Sequence, residues 1–99
     1  MELNIAFGLA LKQIRNGRNL TQEDFAMVSS RTYLSTLERG LKSPTLEKID
    51  QIAGVLGVHP LTILLATYAD KESPDNVELL LQKIGDETRT LTLVSRAKD

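Results

Sequence analysis

Residues 21–40, TQEDFAMVSSRTYLSTLERG, restrict the fold more than any other stretch, because they hold two helix starts separated by a very short link. The hydroxyl of Thr21 can cap a first helix, and Glu23 and Asp24 put negative charge in its first turn, where free amides favour it. The spacing predicts a helix from Gln22 to about Val28. Ser29 and Ser30 offer a second N-cap directly before Arg31, and the helix that starts there runs to Gly40. Over 30–39, Arg31, Thr32, Ser35, Thr36 and Arg39 share one side, and Leu34 and Leu37 the other. One face is polar and free to meet a partner. The opposite face is built for burial.

The flanking chain supplies further helices. Leu3, Phe7, Leu11 and Ile14 follow helical spacing, and Asn16-Gly17 offers the left-handed stop after them. Beyond Ser43-Pro44, Thr45 caps a helix whose stripe is Leu46, Ile49, Ile52, Ala53 and Leu56, ending at Gly57. Pro60 suits the first turn of the next, which carries Leu61, Leu64, Leu65 and Tyr68 before the polar run from Asp70 to Pro74 ends it. Five helices are thus placed in residues 1–69. In 70–99, Val77, Leu80, Leu81 and Ile84 repeat at helical spacing between Pro74 and Gly85, and residues 90–94 alternate polar and apolar like a strand. That apolar set either closes the core or forms a dimer surface.

Ninety-nine residues suit one compact domain, and 41% apolar content with two Phe, two Tyr and no Trp points to an aliphatic core between helices. Absence of cysteine excludes disulfides, thiolate metal sites and a thiol nucleophile, and fits a reducing compartment, the cytoplasm by default. The N-terminal segment, with Glu2 ahead of a few apolar residues and Lys12 and Arg15 soon after, reads as neither signal peptide nor membrane span. His59 before Pro60 has no carboxylate pair or cysteine to join in a metal site and reads as a cap or surface residue. Asp24, Glu38 and Asp50 lack the His, Cys or glycine-rich phosphate loop that catalysis would need, so neither enzyme activity nor a cofactor is expected. The net charge of −1 divides into +1 over residues 1–69 and −2 over 70–99. A nucleic acid could therefore be held only by a local basic patch.

Several short motifs in 7–68 resemble, taken together, the Xre family of helix-turn-helix proteins, the group that contains the lambda-type phage repressors. They are Thr21-Gln22-Glu23-Asp24 with Ala26, Arg31-Thr32-Tyr33-Leu34-Ser35, Leu37-Glu38-Arg39-Gly40, Ser43-Pro44 and Leu56-Gly57-Val58. The resemblance implies an all-α, compact five-helix lambda-repressor-like DNA-binding domain in 1–69, with a short C-terminal helical extension in 70–99. It also implies a sequence-specific transcriptional regulator, a repressor or autoregulator from a bacterium or phage. Such a protein binds double-stranded DNA as a homodimer on a palindromic operator, through the helix over 30–39. Arg31 and Thr32, with Ser35 or Thr36 a turn later, match base-reading positions. Chemistry agrees: arginine pairs bidentately with guanine and the threonine methyl packs on thymine. Gln22, Tyr33, Arg39, Lys42 and Ser43 match phosphate-contacting positions that hold register. Arg15 and Glu38 match a partly buried structural ion pair that ties the first helix to the end of the third. Val77, Leu80, Leu81 and Ile84 become the candidate dimer surface.

The chain departs from the family pattern at the bend. From Gln22 to Glu38 it is two residues shorter than is common, and Val28-Ser29-Ser30 stands where a turn glycine is usual. Either the helix beginning at Gln22 ends half a turn early, or the two helices cross at another angle. Two rival functions use the same features: an antitoxin whose residues 70–99 neutralise a partner protein, and a protein-interaction module that no longer binds DNA.

Overall fold

The computed structural model describes residues 1–72 and 76–93, and every regular element in them is helical. In chain order these are α1 (Leu3–Gly17), a 3₁₀ helix (Gln22–Phe25), α2 (Arg31–Glu38), α3 (Leu46–Leu56), α4 (Pro60–Glu72), α5 (Val77–Thr88) and a π-helical turn (Arg89–Leu93). The all-α architecture and the five helical elements expected before residue 70 are present. Leu34 and Leu37 of α2 meet Phe7 and Leu11 of α1, Phe25, Ile49, Ile52, Ala53 and Leu56 of α3, and Ile63 of α4 in one core. It is aliphatic apart from Phe7 and Phe25, which are both buried in it. Leu46, counted in the α3 stripe, is 81% exposed. As the first residue of α3 it lies beyond the reach of the core.

The caps explain the boundaries. Ser30 Oγ accepts the Tyr33 amide at 3.0 Å to start α2, and Thr45 Oγ1 accepts the Lys48 amide at 3.0 Å to start α3. Gly57, at φ 71°, ends α3, and the Val58 amide returns to the Ala53 carbonyl at 3.2 Å. His59 Nδ1 accepts the Leu61 amide at 3.0 Å at the head of α4. The stop of α1 falls later than Asn16-Gly17: helix continues through Gly17, and the left-handed residue is Asn19, at φ 58°. Asparagine tolerates that region, and the Leu20 amide then closes on the Arg15 carbonyl at 3.0 Å.

Three other expectations are corrected. The helix from Gln22 shrinks to the four residues Gln22–Phe25, because the Val28 and Ser29 amides both turn back to the Phe25 carbonyl at 2.9 Å and use up the shortened link. Of the two alternatives, the early end is realised. α4 ends at Glu72, inside the polar run expected to end it, whereas α5 passes through Gly85, since a lone glycine is not sufficient to stop an established helix. Residues 90–93 are helical rather than strand-like, continuing α5, with the Thr92 hydroxyl bonded to the Thr88 carbonyl at 2.6 Å. No strand lies among the described residues for them to pair with, and Val94 lies outside those residues.

Candidate nucleic-acid interface

α2 is fixed to the scaffold from below. Leu34 and Leu37 are fully buried, and α1 crosses the end of α2 so closely that a Cβ on Gly8 would sit 2.5 Å from the Glu38 carbonyl oxygen and 2.6 Å from that of Leu37. Gly40, at φ 74°, makes the matching concession: its Cβ would lie 2.9 Å from the Ile5 Cα. Gly8 thus packs α1 against the end of α2, and no sequence motif singled it out. Its signal was a glycine within the periodic stripe of a helix, which commonly marks close backbone approach.

A clamp of three side chains holds the same junction. Arg15 Nε donates to Glu38 Oε2 at 2.6 Å and Nη2 to Glu38 Oε1 at 3.0 Å, while Nη1 reaches the Leu20 carbonyl at 2.8 Å. The two side chains are 10% and 5% exposed, so the pair is buried and bidentate, the geometry that gives a charged bond most strength. Its hydrogen bonds to Glu38 raise the Arg15 pKa above the usual arginine range, against the opposing effect of burial and with the help of the Glu38 charge. The ion pair expected between Arg15 and Glu38 is therefore formed, and it links α1 to the end of α2. Gln22 Nε2 adds a bond to Glu38 Oε1 at 3.2 Å. Gln22 thus sits at this junction, with a second amide proton and its carbonyl left for other contacts.

The outward face carries the residues expected to read DNA. Arg31 and Thr32 are exposed; Ser35 and Thr36 are half-buried on the same helix. Thr36 Oγ1 donates to the Thr32 carbonyl at 2.8 Å, leaving its methyl and an acceptor oxygen for a ligand. Arg31 Nη1 lies 3.3 Å from Glu23 Oε1, and both side chains are more than 70% exposed. An exposed pair of this kind contributes little to stability and can be exchanged for a base edge. Arg39 and Lys42 are exposed at the far end of α2, and no carboxylate pairs with either among the described residues. The Ser43 hydroxyl donates to Asn4 Oδ1 at 2.7 Å, which ties the loop after α2 to the start of α1. Tyr33 is half-buried against the core, with the Lys48 ammonium 6.0 Å from its ring centroid. Lys48 also donates to the Val28 carbonyl, and no sequence motif singled it out.

The remaining candidates stand apart from this face. Val77 and Leu80 of α5 are half-buried, whereas Leu81 and Ile84 are 47% and 46% exposed. With Leu61, Leu64, Leu65 and Tyr68 of α4, the last three border an apolar groove of about 400 Å³. Closure of the core by α5 is not what is found: the core is complete without it, and α5 has no fully buried residue.

A capped helix, polar outside and anchored by leucines, a buried ion pair and a glycine contact inside, defines a DNA-binding regulator of the helix-turn-helix class. The family model described as Helix-turn-helix matches residues 11–63. The chain is 37% identical over 65 residues to control protein C.BamHI of Bacillus amyloliquefaciens, covering 63% of this chain and 80% of that protein. It is 34% identical over 79 residues to the immunity repressor protein of Bacillus phage phi105, covering 69% of this chain and 55% of that one. In structure it is similar to the clp gene regulator ClgR from C. glutamicum, with a TM-score of 0.66 at 29% identity, over 71% of this chain and 94% of the other. The chain belongs to the Xre-like helix-turn-helix family and is a DNA-binding transcriptional regulator, not an enzyme.

Proposed function

We propose that the chain acts as a repressor or autoregulator, as a symmetric homodimer on a palindromic operator, with α2 of each copy in a major groove. Arg31 and Thr32, at the N-terminal end of α2, read bases, and Ser35 or Thr36 reads one turn later. Gln22, Tyr33, Arg39, Lys42 and Ser43 hold phosphates. The observation that carries this reading is the polar side of α2 and of the loop after it: exposed Arg31 and Thr32 at the start of the helix, and Arg39 and Lys42 just past its end, which pair with no carboxylate among the described residues, on a helix whose underside is buried. The relatives named as a control protein and as an immunity repressor support a regulatory role.

Dimerisation follows from charge. Five phosphate contacts per copy, only two of them cationic, give weak attachment to one half-site, and a second copy adds affinity without new contacts within the first. Its surface is the α4–α5 groove around Leu61, Leu65, Tyr68, Leu81 and Ile84, and the two α2 helices must then stand roughly 34 Å apart. The same groove suits the antitoxin reading, in which a partner protein fills it. Selection of bound duplexes from a random pool tests the proposal. A two-fold symmetric consensus is expected, whereas no enrichment at all would leave the interaction-module reading in its place.

A further inference from the structure

We propose that Lys48 is a positioning residue that sets the aim of α2 and thereby the base preference; this rests on the DNA-reading role given to α2 above. The short link between Phe25 and Arg31 has few internal restraints at its centre. The Val28 and Ser29 amides turn back to Phe25, and the Ser29 hydroxyl bonds its neighbour's carbonyl at 3.1 Å. Lys48 reaches over from α3. Its ammonium donates to the Val28 carbonyl, on one side of the bend, and lies over the ring of Tyr33, on the other. Arg31 and Thr32 stand between those two contacts in the chain. A single cation thus bridges the residues before and after the pair that would read bases.

The placement of Lys48 argues that this contact is what the residue is for. It is the third residue of α3, where the helix dipole disfavours a positive charge, and the acidic residue of that first turn is Glu47. No carboxylate pairs with Lys48 among the described residues. It is half-buried, so its stem packs while its head is spent on a carbonyl and a ring. Where the family pattern has two more residues and a glycine to shape the turn, this chain uses a lysine from another helix.

The test compares the wild type, Lys48→Met and Lys48→Arg in two measurements. Amide hydrogen exchange on the free protein should show Ser29 and Tyr33 exchanging at least about fivefold faster in Lys48→Met, and near wild-type rates in Lys48→Arg, whose guanidinium can bond the carbonyl and stack on the ring. Selection from random duplexes should give Lys48→Met a broadened preference at the positions read by Arg31 and Thr32, with about tenfold lower affinity for the wild-type site, and Lys48→Arg the wild-type preference. Unchanged exchange in Lys48→Met overturns the bridge whatever DNA does. Faster exchange with unaltered base preference overturns the link to specificity. A uniform loss over all sequences, with a salt dependence shallower by about one unit, would make Lys48 a phosphate contact and also overturn the proposal. If the wild type itself enriches nothing, the operator reading fails, and the aim of α2 can no longer be tied to specificity.

Discussion

α4 and α5 follow one another in the chain and are nearly equal in length, at 13 and 12 residues, yet their surroundings differ sharply. α4 buries Ile63, Thr67 and Ala69 against the body of the molecule, chiefly along α1. α5 has apolar residues at helical spacing and buries none of them fully; Leu79, Leu81 and Ile84 are between 46% and 62% exposed. A helix of this size is marginal alone and gains most of its stability by packing an apolar face. The two helices divide the labour of the fold. Residues up to α4 complete the core that anchors α2, whereas α5 leaves an apolar face exposed outside that core.

The widest separation between the two regions is expected in stability. Phe25→Ala should lower the unfolding free energy by about 3–5 kcal/mol, measured by urea denaturation, because it empties the centre of the core beneath the short 3₁₀ helix. Leu81→Ala, measured at a concentration low enough to keep the chain monomeric, should stay within about 0.5 kcal/mol of the wild type. Equal losses would mean that α5 belongs to the core after all.

Next in size is the clamp. Arg15→Ala should cost about 3–5 kcal/mol, since it strands the Glu38 carboxylate in a buried site, and the double change Arg15→Met with Glu38→Leu should cost less than either single one. The raised Arg15 pKa means that its contribution is complete at any pH below the unfolded arginine value and is lost only as pH rises through the still higher folded value. The Arg15→Ala loss should therefore be equal at about pH 6 and about pH 9; a loss that faded by the higher pH would contradict the assigned bond.

Smaller effects should appear on DNA alone. Arg31→Ala should weaken operator binding by about 1–3 kcal/mol and relax preference at one base position, with unfolding unchanged because its contact to Glu23 is exposed. Unaltered preference in a binding selection would move the reading site elsewhere. Lys42→Ala should weaken every sequence alike and make the salt dependence shallower by about one unit, which a titration of affinity against salt reads directly. A base-specific effect would reassign it as a reader.

Much of this was legible in the chain itself. Ser30 and Thr45 announce α2 and α3 because a capping hydroxyl is a local device, and Arg15 and Glu38 could be paired through the family pattern despite their separation of 23 residues. The short 3₁₀ helix was foreshadowed by the missing residues, but the choice between an early end and a changed crossing depended on where Phe25 enters the core. Gly8 and Lys48 were missed because each acts across the fold, one through a contact with α2 carbonyls and the other by bridging a bend in a different segment. The alternation over 90–94 misled for residues 90–93 because so short a run cannot separate a strand from the tail of a helix, and no strand lies among the described residues to pair with it.

The division of labour meets its most direct test in the number of chains on one selected duplex, measured by sedimentation or light scattering of the complex formed by the wild type and by Leu81→Asp. Two wild-type chains per palindromic duplex are expected, bound together, and Leu81→Asp should give single occupancy at the same concentrations with its fold intact. One wild-type chain per duplex, or unchanged paired binding by Leu81→Asp, would contradict the role given to the α4–α5 groove.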